Sequence, residues 1–131
     1  MAGYTIKNLR EDVEDQAPGS GYAPQLEARF ARGALGLEHA GMSYQRLAPG
    51  FRMPFGHTHA TQEEVYVVVG GGGRVKLDDQ VVELRPWDAL RVPNETMRNF
   101  EAGADGLELL VFGAPSTAPG DAQISPGWWS E

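Results

Sequence analysis

The sequence predicts an all-β domain, either a sandwich or a barrel, and three features favour this fold class. From residue 41 onward, turn-forming residues separate short apolar segments at roughly 8–12-residue intervals, a spacing typical of sandwiches and barrels. Glycine (17) and proline (9) are frequent among the 131 residues, as in proteins built from many turns. No long segment repeats its apolar residues with the helical period, which disfavours an α/β fold.

The predicted strands are taken in chain order. Residues 26–32 alternate apolar and polar side chains, which favours a strand over a short helix. Residues 64–69 are rich in valine, a frequent strand residue, and the four glycines at 70–73 predict a turn after them. Turn formers at 78–80 predict a hairpin between strands 74–77 and 81–84. The other strands are predicted at residues 42–47, 56–59, 88–92, 97–100 and 107–112.

The length of 131 residues predicts one domain in three parts. Residues 1–25 are polar and partly acidic, and we expect an arm or loop there. Residues 26–115 form the β-domain. Residues 116–131 are expected to be a loop-like tail that docks on the domain or on a partner subunit through Trp128 and Trp129.

Composition narrows the class of protein. The formal net charge of -7 argues against nucleic-acid binding, because an acidic surface repels the phosphate backbone. The absence of cysteine excludes disulfides and thiolate metal sites. No apolar run approaches the roughly 18 residues that span a membrane, and the first residues lack the apolar core of a signal peptide. We therefore expect a cytoplasmic protein with no membrane partner.

The segment His57-Thr58-His59 is the sharpest chemical signal. Residues i and i+2 of a strand share a face, so both imidazoles can reach one interior point. Glu64 begins the next predicted strand, and a neighbouring strand about 4.8 Å away would let its carboxylate complete a three-ligand cluster. Two histidines and one carboxylate suit Fe(II), Mn(II), Ni(II) or Zn(II).

A simpler explanation stands beside this one. In most proteins, an isolated H-x-H pair is a pair of solvent-exposed side chains and does not bind a metal. The two glutamates and the valine-rich strand that follow favour metal ligands here. Glu63 and Glu64 face opposite sides of a strand, and we expect Glu63 at the surface. His39 is expected in a turn or at the surface.

Residues 50–71 resemble the first sequence motif of the cupin family. That motif is a glycine, then H-x-H, four residues, a glutamate, six residues and a glycine. His57, His59, Glu64 and Gly71 match its spacing, while Gly50 lies one residue further upstream than the usual glycine. The resemblance extends over residues 42–112.

Residues 86–100 resemble a degraded form of the second cupin motif. Pro93 stands in its usual place, but Trp87 and Glu95 replace two glycines and Arg98 replaces the histidine. That histidine is the fourth metal ligand in metal-binding cupins, and arginine cannot ligate a cation.

The resemblance implies a double-stranded β-helix, or jelly-roll barrel, in which His57, His59 and Glu64 hold a divalent metal. It also implies a homodimer formed through exposed strands or arms. Three arrangements of Arg98 stay open. In the first, three residues hold the metal and Arg98 either turns away or clamps a substrate carboxylate. In the second, no metal is bound and Arg98 pairs with Glu64. In the third, Arg98 lies outside the barrel.

Three functions follow from these alternatives. The first is a metal-binding protein for a small molecule, including a metal-dependent oxygenase or isomerase. In it Arg98 orients an anionic substrate, and Tyr66 and Phe100 line the pocket. The second is a metal-free binding or sensing module that uses the same pocket. The third is a structural barrel with no active site.

Overall fold

The computed structural model of the protein describes residues 3–114 and 122–130, and eight β-strands make up most of its regular structure. Two helical turns, α1 (Ala17–Ser20) and α2 (Arg32–Leu35), lie in the N-terminal third. The all-β prediction is confirmed, and none of the described helices is long and apolar enough to cross a membrane. The strands are β1 (Leu26–Phe30), β2 (Gly41–Leu47), β3 (Phe55–His59), β4 (Glu64–Leu77), β5 (Gln80–Leu84), β6 (Ala89–Val92), β7 (Arg98–Gly113) and β8 (Ala122–Pro126).

All eight strands belong to one curled antiparallel sheet that forms a β-barrel. The long strand β7 pairs with β2, β3 and β4, and β4 also pairs with β5 and β6. At the other margins β1 extends β2 and β8 extends β3. Since successive residues of a strand face opposite sides, every second residue points into the barrel.

Inward-facing aliphatic residues form the core. Each of the most buried ones is at most 1% exposed, and burial of such a side chain stabilises the fold by roughly 1.5–3 kcal/mol. These residues come from β2, β4, β6 and β7, so the core lies where the long strands β4 and β7 and their neighbours cross the barrel. They are Leu47, Val68, Val75, Val92, Leu107 and Leu109.

Two strands are longer than the sequence predicts. The turn expected at residues 70–73 is wrong, because β4 continues through these glycines with register shifts between Val68 and Gly70 and between Gly71 and Gly73. Opposite them β7 also continues, through residues 103–106, and joins the two strands predicted at 97–100 and 107–112. The irregular register lets the two strands bend together.

Gly71 and Gly73 permit this bend because no side chain fits at either position. Gly71 has a φ of +66°, and a Cβ there would collide with the carbonyl oxygen of Gly106. A Cβ on Gly73 would collide with the carbonyl oxygen of Glu101. Glycine at these positions therefore allows the two backbones to come close together in a β-bulge. In the sequence, such a run of glycines resembles a turn.

The segment before β1 is tied to the barrel. Val13 and Ala17 are buried. The Asp15 carboxylate accepts hydrogen bonds from the backbone N–H groups of Ala17 (3.0 Å) and Ala28 (2.9 Å). These contacts hold the start of α1 against Ala28 in the middle of β1.

The tail contributes a strand that the sequence analysis did not predict. β8 pairs with β3 in a register that runs from Phe55 opposite Pro126 to His59 opposite Ala122. Trp129 follows and is 4% exposed, with the Arg52 guanidinium carbon 4.3 Å from its ring centroid. The predicted boundary at residues 115 and 116 lies outside the described residues.

Trp129→Ala is expected to lower the free energy of unfolding by about 3 kcal/mol, since it removes a large buried ring. Trp87 is 76% exposed, and Trp87→Ala should change stability by less than about 0.5 kcal/mol. Chemical denaturation of both variants measures the difference. Equal losses would contradict the anchoring role of Trp129.

Candidate metal centre

β3 directs alternate side chains into the barrel. Phe55, His57 and His59 lie two residues apart, share one face of the strand and line the same cavity. The backbone N–H of His59 donates a 2.7 Å hydrogen bond to the carbonyl oxygen of Asn94, which fixes the end of the strand. The two imidazoles are therefore held by a paired strand rather than by a loop.

Glu64 reaches these histidines across the barrel. The prediction that it lies on a neighbouring strand is wrong, because β3 pairs with β7 and β8 whereas β4 pairs with β5, β6 and β7. The connection at residues 60–63 leads to another part of the curled sheet, and the curvature brings the carboxylate back towards β3. Convergence here depends on closure of the barrel.

The three side chains meet at one point inside the protein. Oε1 of Glu64 lies 3.2 Å from Nε2 of His59 and 3.7 Å from Nε2 of His57. The two imidazole rings are nearly perpendicular, with centroids 5.0 Å apart. One ligand atom from each residue falls within 4.8 Å of the others, a spacing compatible with a shared metal ion.

The surroundings of Glu64 keep its carboxylate ionised. Burial would raise the pKa of Glu64, but hydrogen bonds with His57, His59 and Tyr66 outweigh burial and hold the pKa below its usual range. The hydroxyl of Tyr66 donates to Oε1, and burial together with the Glu64 charge raises the pKa of Tyr66 well above its usual value. Tyr66 therefore stays a donor to a carboxylate that stays charged.

Arg98 lies beside this cluster and is completely buried. Its Cα is opposite that of His57 in the β3–β7 pair, so both side chains point inward. Nη2 donates a 2.7 Å hydrogen bond to the carbonyl oxygen of Pro93, and Nη1 lies 3.6 Å from Oε1 of Glu64. The arginine that replaces the fourth-ligand histidine thus contacts the ligand set itself.

A cavity of about 440 Å³ is lined by all three residues of the cluster, His57, His59 and Glu64. Its apolar wall comes from β1, β2, β3, β7, β8 and the segment before β1. The contribution of β1 and β8 to this wall was not predicted from the sequence. Alternation along residues 26–30 was the available signal for β1. The main apolar lining residues are Leu26, Phe30, Met42, Phe55, Val111 and Ile124.

The three residues expected to contact substrate lie elsewhere. Arg98, Tyr66 and Phe100 are not among the described residues that line this cavity; they border a smaller void of about 20 Å³ that shares Phe55 and His57 with the cavity wall. The Tyr66 and Phe100 rings are 4.7 Å apart within the hydrophobic core. The structure therefore places these residues behind the candidate ligands.

Residues 43–112 match the family model described as Cupin domain, and the chain belongs to the cupin family. An uncharacterized protein of Methanocaldococcus jannaschii is 30% identical over 69 residues. That alignment covers 52% of this chain and 55% of the relative, so the chain spans about half the length of the curated relative it matches.

Solved structures share the whole barrel. A cupin protein from Bacteroides fragilis superposes with a TM-score of 0.71 at 23% identity, covering 91% of this chain and 90% of that one. The polyketide cyclase RemF from Streptomyces resistomycificus gives a TM-score of 0.72 at 21% identity, covering 97% and 89%. Similarity at this level of identity establishes the cupin β-barrel fold.

Proposed function

We propose that this cupin binds a divalent metal through His57, His59 and Glu64 and a small molecule in the adjoining cavity. The observation that carries the proposal is the convergence of two imidazole nitrogens and one carboxylate oxygen within 4.8 Å at the cavity wall. The donor set fits Fe(II), Mn(II), Ni(II) or Zn(II), all of which accept nitrogen and oxygen ligands. Three protein donors also leave coordination positions for a ligand.

A metal held there would polarise a ligand oxygen. An oxygenase or isomerase reaction is the catalytic form of this proposal, since both require an oxygen-bearing molecule at an open position. Tyr66 and Arg98 act as positioning residues, because each contacts the Glu64 oxygen without reaching the cavity. The apolar wall orients the body of the small molecule and excludes water from it.

One observation favours a second candidate, a metal-free binding or sensing module. The Arg98 guanidinium stands 3.6 Å from Glu64 and already supplies a positive partner for the carboxylate. In that case the histidines donate hydrogen bonds directly to a ligand. Metal content separates the two candidates.

Homodimer formation and a cytoplasmic location stay predictions. Phe30 is 58% exposed on β1, which pairs on one side with β2, so this edge is our candidate for a dimer contact. Trp129 packs on its own barrel and is a weaker candidate than the sequence indicated. Sedimentation of the purified chain measures the oligomeric state.

Protein purified without added metal or chelator is expected to contain close to one equivalent of a divalent metal by elemental analysis. His57→Ala combined with His59→Ala should abolish that metal and the rise in melting temperature that added metal produces. His39, whose side chain is 93% exposed, provides the control, and His39→Ala should leave both unchanged. A metal-free wild type that still binds a small molecule would favour the second candidate.

Arg98→His should raise metal affinity by about tenfold or more, because it removes a like charge and adds a nitrogen donor. Isothermal titration with Zn(II) measures this change. Arg85→His, at a position where the side chain is 87% exposed, controls for the mere addition of a histidine. An unchanged affinity for Arg98→His would show that residue 98 does not act on the metal site.

A further inference from the structure

The charge of Arg98 constrains what the metal centre can bind. The residue is 0% exposed, so water does not screen its guanidinium as it would at the surface. Nε and Nη1 have no hydrogen-bond acceptor among the described residues, and the one nearby anion is Glu64, 3.6 Å from Nη1. Arg98 therefore brings a buried positive charge that is only partly compensated.

A divalent cation at His57, His59 and Glu64 would add to this positive charge. Glu64 is the only acidic residue among the described residues that line the cavity, and Arg98 already shares its carboxylate. In cupins with a histidine at this position, the fourth ligand is a neutral imidazole and adds no charge to the site. Here the single carboxylate of Glu64 does not balance the positive charges of the metal and Arg98. The bound small molecule must therefore supply the rest of the negative charge.

We propose that the small molecule is an anionic oxygen donor, such as a carboxylate, with an apolar body, and that Arg98 sets this preference. This inference rests on the proposed metal site. The anion completes the metal coordination and neutralises the charge that Arg98 and the metal share. The apolar side chains of Leu26, Phe55 and Ile124 accept the rest of the molecule.

Arg98 acts here at a distance. It lies behind Glu64 and borders the small void, so it selects the ligand through its electrostatic field and its hold on the carboxylate. Because binding free energies are coupled reciprocally, an anion that binds better in the presence of metal must also tighten the metal. Metal affinity therefore reports the ligand preference without any assay of activity.

A second arginine provides the matched control. Unlike Arg98, Arg32 lines the cavity, and it is exposed at the start of α2. If a cation at the mouth selected anions by direct pairing, Arg32 would carry the effect. If the buried charge selects them, Arg98 carries it and Arg32 does not.

The test measures Co(II) affinity of the full chain by competition with a chelator, alone and with benzoate or benzamide as probes. Benzoate is expected to tighten Co(II) by about tenfold, and benzamide, its neutral counterpart, by less than about twofold. In Arg98→Met the benzoate effect should fall to about twofold, whereas Arg98→Lys and Arg32→Met should keep it.

Each other result has a defined meaning. Equal effects of benzoate and benzamide in the wild type would overturn the inference while leaving the metal site intact. If Arg32→Met loses the preference for benzoate over benzamide, the charge at the cavity mouth selects the anion, and the role proposed for Arg98 is overturned. If Co(II) does not bind the wild type, the proposed metal function fails and the inference falls with it. Should Arg98→Met not fold, the wild-type probes and Arg98→Gln decide.

Discussion

The ionised carboxylate of Glu64 is the constraint on which the site depends. Two imidazoles from β3, the Tyr66 hydroxyl from β4 and the Arg98 guanidinium from β7 all approach its Oε1 atom. An unpaired buried carboxylate would be strongly destabilising, so this convergence is what allows the charge to lie inside a barrel. The same group of partners gives the carboxylate its low pKa and fixes its direction towards the histidines.

The barrel supplies this arrangement through three features of its strands. β3 alternates its side chains and is held between β7 and β8. β4 and β7 bend together where glycine permits close approach, and the closed sheet carries Glu64 across to β3. In the tail, β8 pairs with β3, the strand that carries His57 and His59, and the buried ring of Trp129 anchors the tail to the barrel. Stability of the tail and geometry of the site are thereby linked.

The sequence predicts the parts of this arrangement that depend on local pattern. Alternation along a strand places His57 and His59 on one face, and motif spacing singles out Glu64. Features that depend on distant contacts were missed. The four glycines at 70–73 predict a turn because their role, contact with β7, is invisible in the segment itself, and β8 is short and ends in a proline. The position of Arg98 was given by the motif, but its burial behind Glu64 depends on how β3 and β7 pair.

The central claim is that a metal ion occupies the point where these donors converge. Anomalous diffraction from crystals of protein purified without added metal tests this claim directly and also identifies the element. The account predicts a peak between Nε2 of His57, Nε2 of His59 and the carboxylate of Glu64. A featureless anomalous map, with Arg98 in contact with Glu64 and the histidine nitrogens turned apart, would contradict it.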